Sequence, residues 1–300
     1  MPDPDHIAVI AALDPGLRAG LTARSTAKGL LHLAGHAGAI ALCTALIGLQ
    51  VPFWWVLLPI QGILLVFLFT LEHEATHRTP FAHDGLNDAA GRLCGLVLVL
   101  PFLWFRYFHH AHHRWTNQPG EDPELDGPLP TSRLQWLWHV SGLPYWGAQL
   151  RLMARLSLRQ ERRTYLPGTA MPRMVKEARG MVLLYAVALA TLARTDVLLW
   201  IWIVPVLLGQ PFLRLYLLAE HGDCAFVSNM LENSRTTFTN RLVRLLAWNM
   251  PYHAEHHAFP MVPFHQLPAL HRAIAAHLQV TSPGYIAFTR AWLARHRGQA

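Results

Sequence analysis

Residues 66–77 read VFLFTLEHEATH, an apolar run that ends in two histidines, His73 and His77. Side chains four positions apart lie on one face of an α-helix, so both imidazoles can point to the same side. The apolar part belongs to a stretch at residues 51–71, and a similar stretch precedes it at residues 29–49. Because almost nothing separates the two stretches, they predict a tight hairpin of membrane-spanning helices whose second helix ends in the histidine pair.

Two further apolar stretches lie in the second half of the chain, at residues 180–193 and 197–219. A helix needs about 20 apolar residues to cross the hydrocarbon core, so the stretch at 180–193 is short by itself. Residues 93–105 are also apolar. They are too few to span a bilayer, and they predict a helix that lies in the plane of the membrane or is partly immersed in it.

Composition agrees with a membrane protein. The 300 residues are 52% hydrophobic and 14% charged, against about 25% charged in soluble domains, so much of the surface is expected to face lipid. We therefore expect an all-α integral membrane protein, with about four transmembrane helices in two hairpins. Residues 72–179 and 220–300 would form a cytosolic helical cap that carries the histidine pair, and residues 1–300 a single domain.

The formal net charge of +7 is unevenly distributed. The turns after the first and third apolar stretches carry almost no positive charge, so both termini and the cap are expected in the cytoplasm, at a bacterial inner membrane. Arg151, Arg155, Arg159 and Arg162 recur at helical spacing and predict a basic stripe, either on an anionic membrane surface or as a docking face for an acidic electron carrier. No basic and aromatic groove accompanies the stripe, so nucleic-acid binding is not expected.

The three cysteines show no CxxC spacing, so we do not expect a disulfide framework. The first residues contain no basic n-region, so we do not expect a cleavable signal peptide.

Two more histidine motifs follow the first. Residues 107–113 read YFHHAHH and residues 252–257 read YHAEHH, and each contains an HxxHH box. Random placement of the 19 histidines would give about 0.08 such boxes, so two of them are not noise. Neutral imidazole suits iron, zinc and copper, and eight histidines exceed the capacity of one metal ion. The boxes therefore predict a two-metal centre with four or five ligands for each ion.

The three boxes and their placement after the second and fourth apolar stretches resemble the membrane fatty acid desaturase and hydroxylase superfamily. The resemblance runs from about Glu72 to His271, and its motifs are highly specific. It implies two non-haem irons at the cytosolic face, held by the histidines of the boxes. By position these are His73, His77, His109, His112, His113, His253, His256 and His257.

The resemblance also implies a ninth ligand at the cytosolic end of the fourth span. The matching residue is His221, which precedes the last box by about 30 residues, as in acyl desaturases. Some desaturases carry an asparagine four residues earlier, where this chain has Leu217. This departure bears on the water around the metal centre and on the outcome of the reaction.

The reaction implied is O2-dependent oxidation of an unactivated C–H bond, with a fatty acyl or lipid desaturase as the leading hypothesis. An alternative is a monooxygenase, either a hydroxylase or a ketolase, that acts on a hydrocarbon, a carotenoid-like lipid or a small ring compound. A second alternative is a zinc-dependent membrane hydrolase, although zinc sites commonly use only three or four protein ligands. A metal transporter is disfavoured because the histidines and acids lie at the ends of the spans.

Electrons would come from a separate partner. The sequence has no dinucleotide-binding fingerprint and no haem or iron–sulfur motif. The resemblance therefore implies a ferredoxin or a cytochrome b5-like carrier with its reductase.

Other side chains near the boxes are candidates for supporting roles. Metal-bound imidazoles usually donate their second N–H to a carboxylate or carbonyl, which makes Asp122, Glu124 and His110 candidates for contact with the ligands. The candidates for the mouth of an apolar substrate tunnel are aromatic, with an interfacial aromatic belt as the alternative interpretation. They are Trp104, Phe105, Tyr107, Trp248 and Tyr252. The remaining histidines near the spans and boxes, His32, His36, His83, His265 and His271, are expected to be structural.

Overall fold

The computed structural model describes residues 4–127 and 129–296, and it is dominated by α-helices. The helices of the first half are α1 (His6–Ala12), α2 (Pro15–Leu21), α3 (Thr26–Gly48), α4 (Leu57–Val66), α5 (Leu68–Thr76), α6 (Asp84–Leu98), α7 (Phe102–Trp115), α8 (Arg133–Val140) and α9 (Leu143–Ser157). Those of the second half are α10 (Met171–Thr191), α11 (Val204–His221), α12 (Met230–Asn233), α13 (Arg241–Leu246), α14 (His253–Ala258), α15 (Leu267–Ile274) and α16 (Tyr285–Arg295). Two short strands, β1 (Thr236–Thr237) and β2 (Thr281–Ser282), pair in parallel and are the exception to the all-α prediction.

Three helical segments are long and apolar enough to cross a membrane: Pro15–Gly48, Trp54–Thr76 and Leu199–His221. They overlap three of the four predicted spans, those at residues 29–49, 51–71 and 197–219. Within the first predicted hairpin, α3 packs against α4. The turn between them has left-handed backbone at Gln50 and Phe53, with φ of 48° and 63°, so the chain reverses within a few residues.

The third predicted span, residues 180–193, is not among these segments. It is the apolar second half of α10, whose first half carries Arg173, Lys176, Glu177 and Arg179. In packing, α10 lies mainly against α9 and α7. The charged half makes α10 too polar to count as a full span.

The fourth candidate span comes instead from the pair α6 and α7, which are apolar enough together but bent by 100°. The break falls inside residues 93–105, so the prediction of one continuous helix there is wrong. Val99 has left-handed backbone, with φ of 58°. Two residues later comes Pro101, which disfavours helical backbone in the residue before it. This bend turns α7, with its HxxHH box, toward the core.

The predicted basic stripe is also not continuous, because α9 ends at Ser157. Arg159 follows the helix with left-handed backbone, at a φ of 59°. Arg151 and Arg155 therefore share a helix, and Arg159 and Arg162 do not continue it.

The packing of α4 against α11 sets the level of the site. A Cβ atom on Gly62 would lie 2.1 Å from the carbonyl oxygen of Pro205, and one on Gly209 would lie 2.3 Å from Gly62, so the two backbones are in direct contact. His73 follows Gly62 by about the same number of residues as His221 follows Gly209. At 1.5 Å per residue, each histidine lies roughly 17 Å along its helix from the contact. The crossing therefore brings the histidine-bearing ends of both segments to the same height.

Candidate metal centre

Nine histidines from four helices converge beside the ends of the candidate spans. The end of α5 contributes His73 and His77, and the end of α11 contributes His221. The HxxHH boxes lie on α7 and α14, where offsets of three and four residues place three imidazoles of each box on one helical face. All nine predicted ligands are brought together.

Five of these histidines form one cluster, which we call the five-histidine cluster. Four of them, His73, His109, His113 and His256, offer ring nitrogens that all lie within 4.8 Å of one another. The fifth is His77, whose Nε2 lies 2.9 Å from Nε2 of His109. This cluster joins α5, α7 and α14.

The other four form the four-histidine cluster. The ring nitrogens of His112, His221 and His257 lie within 4.8 Å of one another. Nε2 of His253 lies 2.9 Å from Nε2 of His221. The two clusters touch through His113 and His257, whose rings stack with centroids 4.0 Å apart.

The spacing of the ring nitrogens fits metal coordination. Two nitrogens that bind one ion at right angles, each at about 2.1 Å, are themselves about 3 Å apart. The Nε2 atoms of His112 and His221 are 3.2 Å apart, and those of His113 and His256 are also 3.2 Å apart. Donor atoms that face one another at this distance have the spacing of a shared ion.

His257 provides an independent test of this fit. Its Nδ1 lies 3.1 Å from the Thr116 hydroxyl, which donates its own proton to the carbonyl oxygen of His112 at 2.7 Å. The hydroxyl therefore accepts from Nδ1–H, and the other nitrogen of His257 is left unprotonated. That Nε2 is buried without a hydrogen-bond partner in the described part of the chain, as expected of an atom that binds a metal.

The four-histidine cluster has partners that fix the protonation of its rings. Nδ1 of His112 lies 3.0 Å from Asp122 Oδ1, and Nδ1 of His221 lies 3.0 Å from the carbonyl oxygen of Asn233. Since carboxylate and carbonyl oxygens only accept, Nδ1 carries the proton in both rings and Nε2 points into the cluster. Nδ1 of His253 lies 3.3 Å from Glu220 Oε1, in an arrangement of the same kind.

Asp122 is the best anchored of the predicted supporting acids. It accepts hydrogen bonds from the backbone N–H groups of Asn117, at 2.7 Å, and Glu124, at 2.9 Å, in addition to His112. Burial by itself would raise the pKa of the Asp122 carboxyl, but these hydrogen bonds hold that pKa below its usual range. The carboxylate is therefore ionised at neutral pH. The side chain of Glu124 is more remote from His112, with Oε2 at 3.8 Å from Nδ1.

The five-histidine cluster is supported differently. Glu74 is fully buried, and its Oε1 lies 3.5 Å from Nδ1 of His256. His110, the third predicted supporting residue, does not face the cluster. Its Nε2 lies 3.1 Å from the carbonyl oxygen of Thr76, and its ring stacks beside that of His77 at 5.5 Å. His110 therefore ties α7 to the end of α5.

A cavity of about 390 Å³ opens beside the histidines of both clusters. Its apolar wall includes Phe69, Trp104, Phe105, Phe108 and Leu217. Pockets for small molecules commonly enclose about 300 to 1,000 Å³. Two of the predicted tunnel residues, Trp104 and Phe105, thus line a cavity at the candidate centre.

The other three predicted tunnel residues lie elsewhere. Trp248 is completely buried and packs on His32 and Phe264. The hydroxyl of Tyr252 accepts a hydrogen bond from Arg244 at 2.7 Å. Tyr107 packs against the main apolar core. None of the three is among the described residues that line the cavity.

The polar wall of the cavity was not predicted from the sequence. It includes Arg214, Tyr145, His139 and Gln149. The guanidinium of Arg214 lies 4.6 Å from the centre of the Tyr145 ring. The available signal was a single arginine within an otherwise apolar span, since ionisable residues in such segments commonly have functional roles.

The remaining histidines form other contacts. His32 and His36 lie near backbone carbonyl oxygens, with Nε2 at 2.7 Å from Leu245 and at 2.8 Å from Leu64. His271 pairs with the buried carboxylate of Glu255. These contacts agree with the structural roles predicted for the three histidines.

Comparison with known proteins places this geometry in context. Residues 49–289 match the family model described as fatty acid desaturase, a range that contains all nine histidines. The sn-1 oleoyl-lipid 12-desaturase of Picosynechococcus sp. is 32% identical over 102 residues, which cover 33% of this chain and 28% of that protein. The dihydrorhizobitoxine desaturase of Bradyrhizobium elkanii is 27% identical over 286 residues, covering 88% of this chain and 78% of the relative. The acyl-lipid 8-desaturase of Rebecca salina is 28% identical over 291 residues, covering 88% and 63%. This chain covers less than two thirds of the length of the first and third of these relatives. The match to the family model confirms the resemblance predicted from the histidine boxes.

Proposed function

The chain belongs to the fatty acid desaturase family, and from that premise we propose that it is a membrane-embedded, O2-dependent di-iron oxidoreductase that desaturates a fatty acyl or other lipid substrate. One observation carries the proposal: two histidine clusters with facing Nε2 atoms lie against a largely apolar cavity. The names of the relatives, all of them desaturases, support the same reaction type.

The five-histidine cluster would hold one iron and the four-histidine cluster the other. When bound, such a centre supplies the oxidising power that removes hydrogen from an unactivated C–H bond with O2 as co-substrate. The protein provides the donor geometry. Asp122 and the carbonyl of Asn233 keep Nδ1 of two ligands protonated, so that Nε2 is free to bind.

The cavity would hold the substrate and keep bulk water away from the clusters. Trp104, Phe105 and Phe108 form an aromatic wall on α7, on the helix that also carries His109 and His112. Because these side chains share one helix with the ligands, a substrate that contacts them lies within reach of the clusters. The fixed position of the apolar chain would then decide which C–H bonds react.

Desaturation also requires an external source of electrons. The substrate loses two hydrogen atoms, a carrier supplies two electrons together with two protons, and O2 becomes two molecules of water. We propose a ferredoxin or a cytochrome b5-like protein with its reductase as the carrier, acting at the cytoplasmic side. Turnover by purified protein that requires added carrier, reductase and O2 would support this arrangement, and turnover without any reductant would contradict it.

Metal analysis of anaerobically purified protein, with Mössbauer spectroscopy, tests the central proposal. We expect about two irons per chain, as two clusters of this size imply, with signals from a coupled pair, and O2 uptake that depends on substrate. Stoichiometric zinc with hydrolytic turnover and no O2 uptake would overturn it and favour a membrane hydrolase.

Hydroxylation is the second candidate outcome. Leu217 lines the cavity one turn before His221, at a position where some desaturases carry an asparagine that contacts metal-bound water. An apolar side chain there changes the hydrogen bonding next to the centre. Turnover under 18O2 separates the outcomes, because a monooxygenase leaves labelled oxygen in the organic product and a desaturase leaves it only in water.

A further inference from the structure

Arg214 is a charged residue placed inside a candidate membrane span. It lies within Leu199–His221, two helical turns before His221. Arg214, Leu217, Leu218 and His221 all line the cavity, at the offsets of three, four and seven residues that define one helical face. At 1.5 Å per residue, Arg214 and His221 are about 10 Å apart along the helix.

The guanidinium has no acidic partner in the described part of the chain. Among these described residues the Nε of Arg214 is buried without a hydrogen-bond partner, and the guanidinium lies 4.6 Å from the centre of the Tyr145 ring. Glu124 and Glu220 also line the cavity. Both acids instead lie near ring nitrogens, Glu124 at 3.8 Å from His112 and Glu220 at 3.3 Å from His253. The guanidinium of Arg214 therefore has N–H groups that could donate hydrogen bonds to a ligand.

Among the described residues that line the cavity, Arg214 is the one permanent cation. Burial, together with the charge of Arg214, lowers the pKa of His139 to about 4, so His139 is neutral. The neighbouring Tyr145 and Gln149 are uncharged, and Oε1 of Gln149 is buried without a partner. A cation in such surroundings, opposite an apolar wall, matches a ligand with one anionic group and a hydrocarbon body.

We infer that Arg214 binds the free carboxylate of an apolar-chain substrate inside this cavity. The planar guanidinium can bind a carboxylate through two parallel hydrogen bonds. A singly charged carboxylate also matches a single guanidinium better than a phosphate dianion, because Arg214 is the one arginine among the described residues that line the cavity and no lysine accompanies it. The substrate would then be a free carboxylic acid, since an ester-linked or thioester-linked acyl chain has no carboxylate to offer. This inference rests on the proposed function, because it takes the cavity as the place where the substrate reacts.

Binding of octanoate and methyl octanoate to the iron-loaded protein in detergent, without O2 or reductant, tests the inference. By isothermal titration calorimetry, wild type should bind octanoate about ten- to a hundredfold more tightly than the ester, the range expected for hydrogen bonds to a charged group. Arg214→Gln should remove this preference and leave ester affinity and iron content unchanged. Arg159→Gln, an exposed arginine away from the cavity, removes the same charge and should keep the preference.

Arg214→Lys adds a second arm should the glutamine variant fold poorly. It keeps the charge but not the paired hydrogen bonds, so the preference for octanoate should fall several-fold and persist. Equal binding of acid and ester by wild type, or an undiminished preference in Arg214→Gln, would overturn the inference. Displacement of octanoate by an equal concentration of inorganic phosphate would overturn the carboxylate assignment. The binding assay needs no turnover, so the two proposals can fail separately. Absence of iron-dependent desaturation would refute the proposed function, whereas the affinities for octanoate and its ester alone decide the role of Arg214.

Discussion

Substitution of Asp122 by asparagine should weaken iron binding in the four-histidine cluster. The carboxylate accepts three hydrogen bonds, from Nδ1 of His112 at 3.0 Å and from the backbone N–H groups of Asn117 and Glu124 at 2.7 and 2.9 Å. Asparagine has one acceptor oxygen and an NH2 group, so one of these donors would face another donor. A buried donor left without its acceptor costs about 1–3 kcal/mol.

The free energy of iron binding should fall by a similar amount. Loss of a carboxylate that orients a ligand commonly lowers metal affinity about 10- to 100-fold, which corresponds to about 1.4–2.8 kcal/mol. If Nδ1 of His112 instead accepts a hydrogen bond from the asparagine NH2, the ring proton must lie on Nε2, and Nε2 can then no longer bind iron. We therefore expect one of the two irons to become labile, while the five-histidine cluster keeps the other.

Anaerobic competition against a chromophoric chelator measures this directly, with iron released from wild type and variant followed over chelator concentration. Glu124→Gln is the matched control, because the Glu124 side chain is 41% exposed and its Oε2 is 3.8 Å from His112. Its effect should be less than about threefold, as expected for a partly exposed pair. Unchanged affinity for both irons in Asp122→Asn, with native helical circular dichroism, would refute the role given to the carboxylate.

Three further predictions test other parts of the molecule. His256→Ala should lose iron and activity, whereas His32→Ala should keep both. The His32 variant should lose about 1 kcal/mol of stability, because it loses a hydrogen bond to a backbone carbonyl. Metal analysis and thermal unfolding measure the two effects, and a fully iron-loaded, active His256 variant would contradict the cluster assignment. Gly62→Ala should lower the melting temperature in detergent, because its new methyl would lie 2.1 Å from the Pro205 carbonyl oxygen, while Gly38→Ala has no atom within 4 Å and should not. Overpacking of this kind costs about 1–3 kcal/mol or more, and equal melting temperatures would show that the two helices can separate freely. Removal of iron by a chelator should lower the melting temperature of wild type, since a ligand that binds only the folded state stabilises it; a melting temperature independent of iron would argue against metal binding by the clusters.

Several features of the site could be predicted because they depend only on local spacing. The offsets of three and four residues in the HxxHH boxes place His109, His112 and His113 on one face of any helix, and the structure forms that helix. The apolar run before His73 fixes a span that ends at the histidines. Asp122 was also predicted as a candidate for contact with the ligands, because an acid ten residues after His112 in a short loop can fold back onto it.

Other features were decided by how distant segments pack. The aromatic character of Trp248 suggested a tunnel, but its neighbours His32 and Phe264 come from remote parts of the chain and enclose it completely. The carbonyl of Asn233 that orients His221 is a backbone atom and leaves no mark on the residue sequence. Arg214 was visible as a charge in a span, yet only the cavity shows that it faces Tyr145 and shares a wall with the ligands.

The histidines that could bind metal and three of the segments that could cross a membrane were predictable, because helical periodicity and apolar length are properties of consecutive residues. The packing of distant segments instead sets which histidines share a cluster, where α6 and α7 bend, and what lines the cavity. Those outcomes depend on contacts such as that between Gly62 and Gly209, where two segments far apart in the chain meet because neither has a side chain in the way. The run at residues 66–77 thus contains two candidate ligands at the end of a candidate span, and the contact between α4 and α11 brings a third candidate, His221, to the same height.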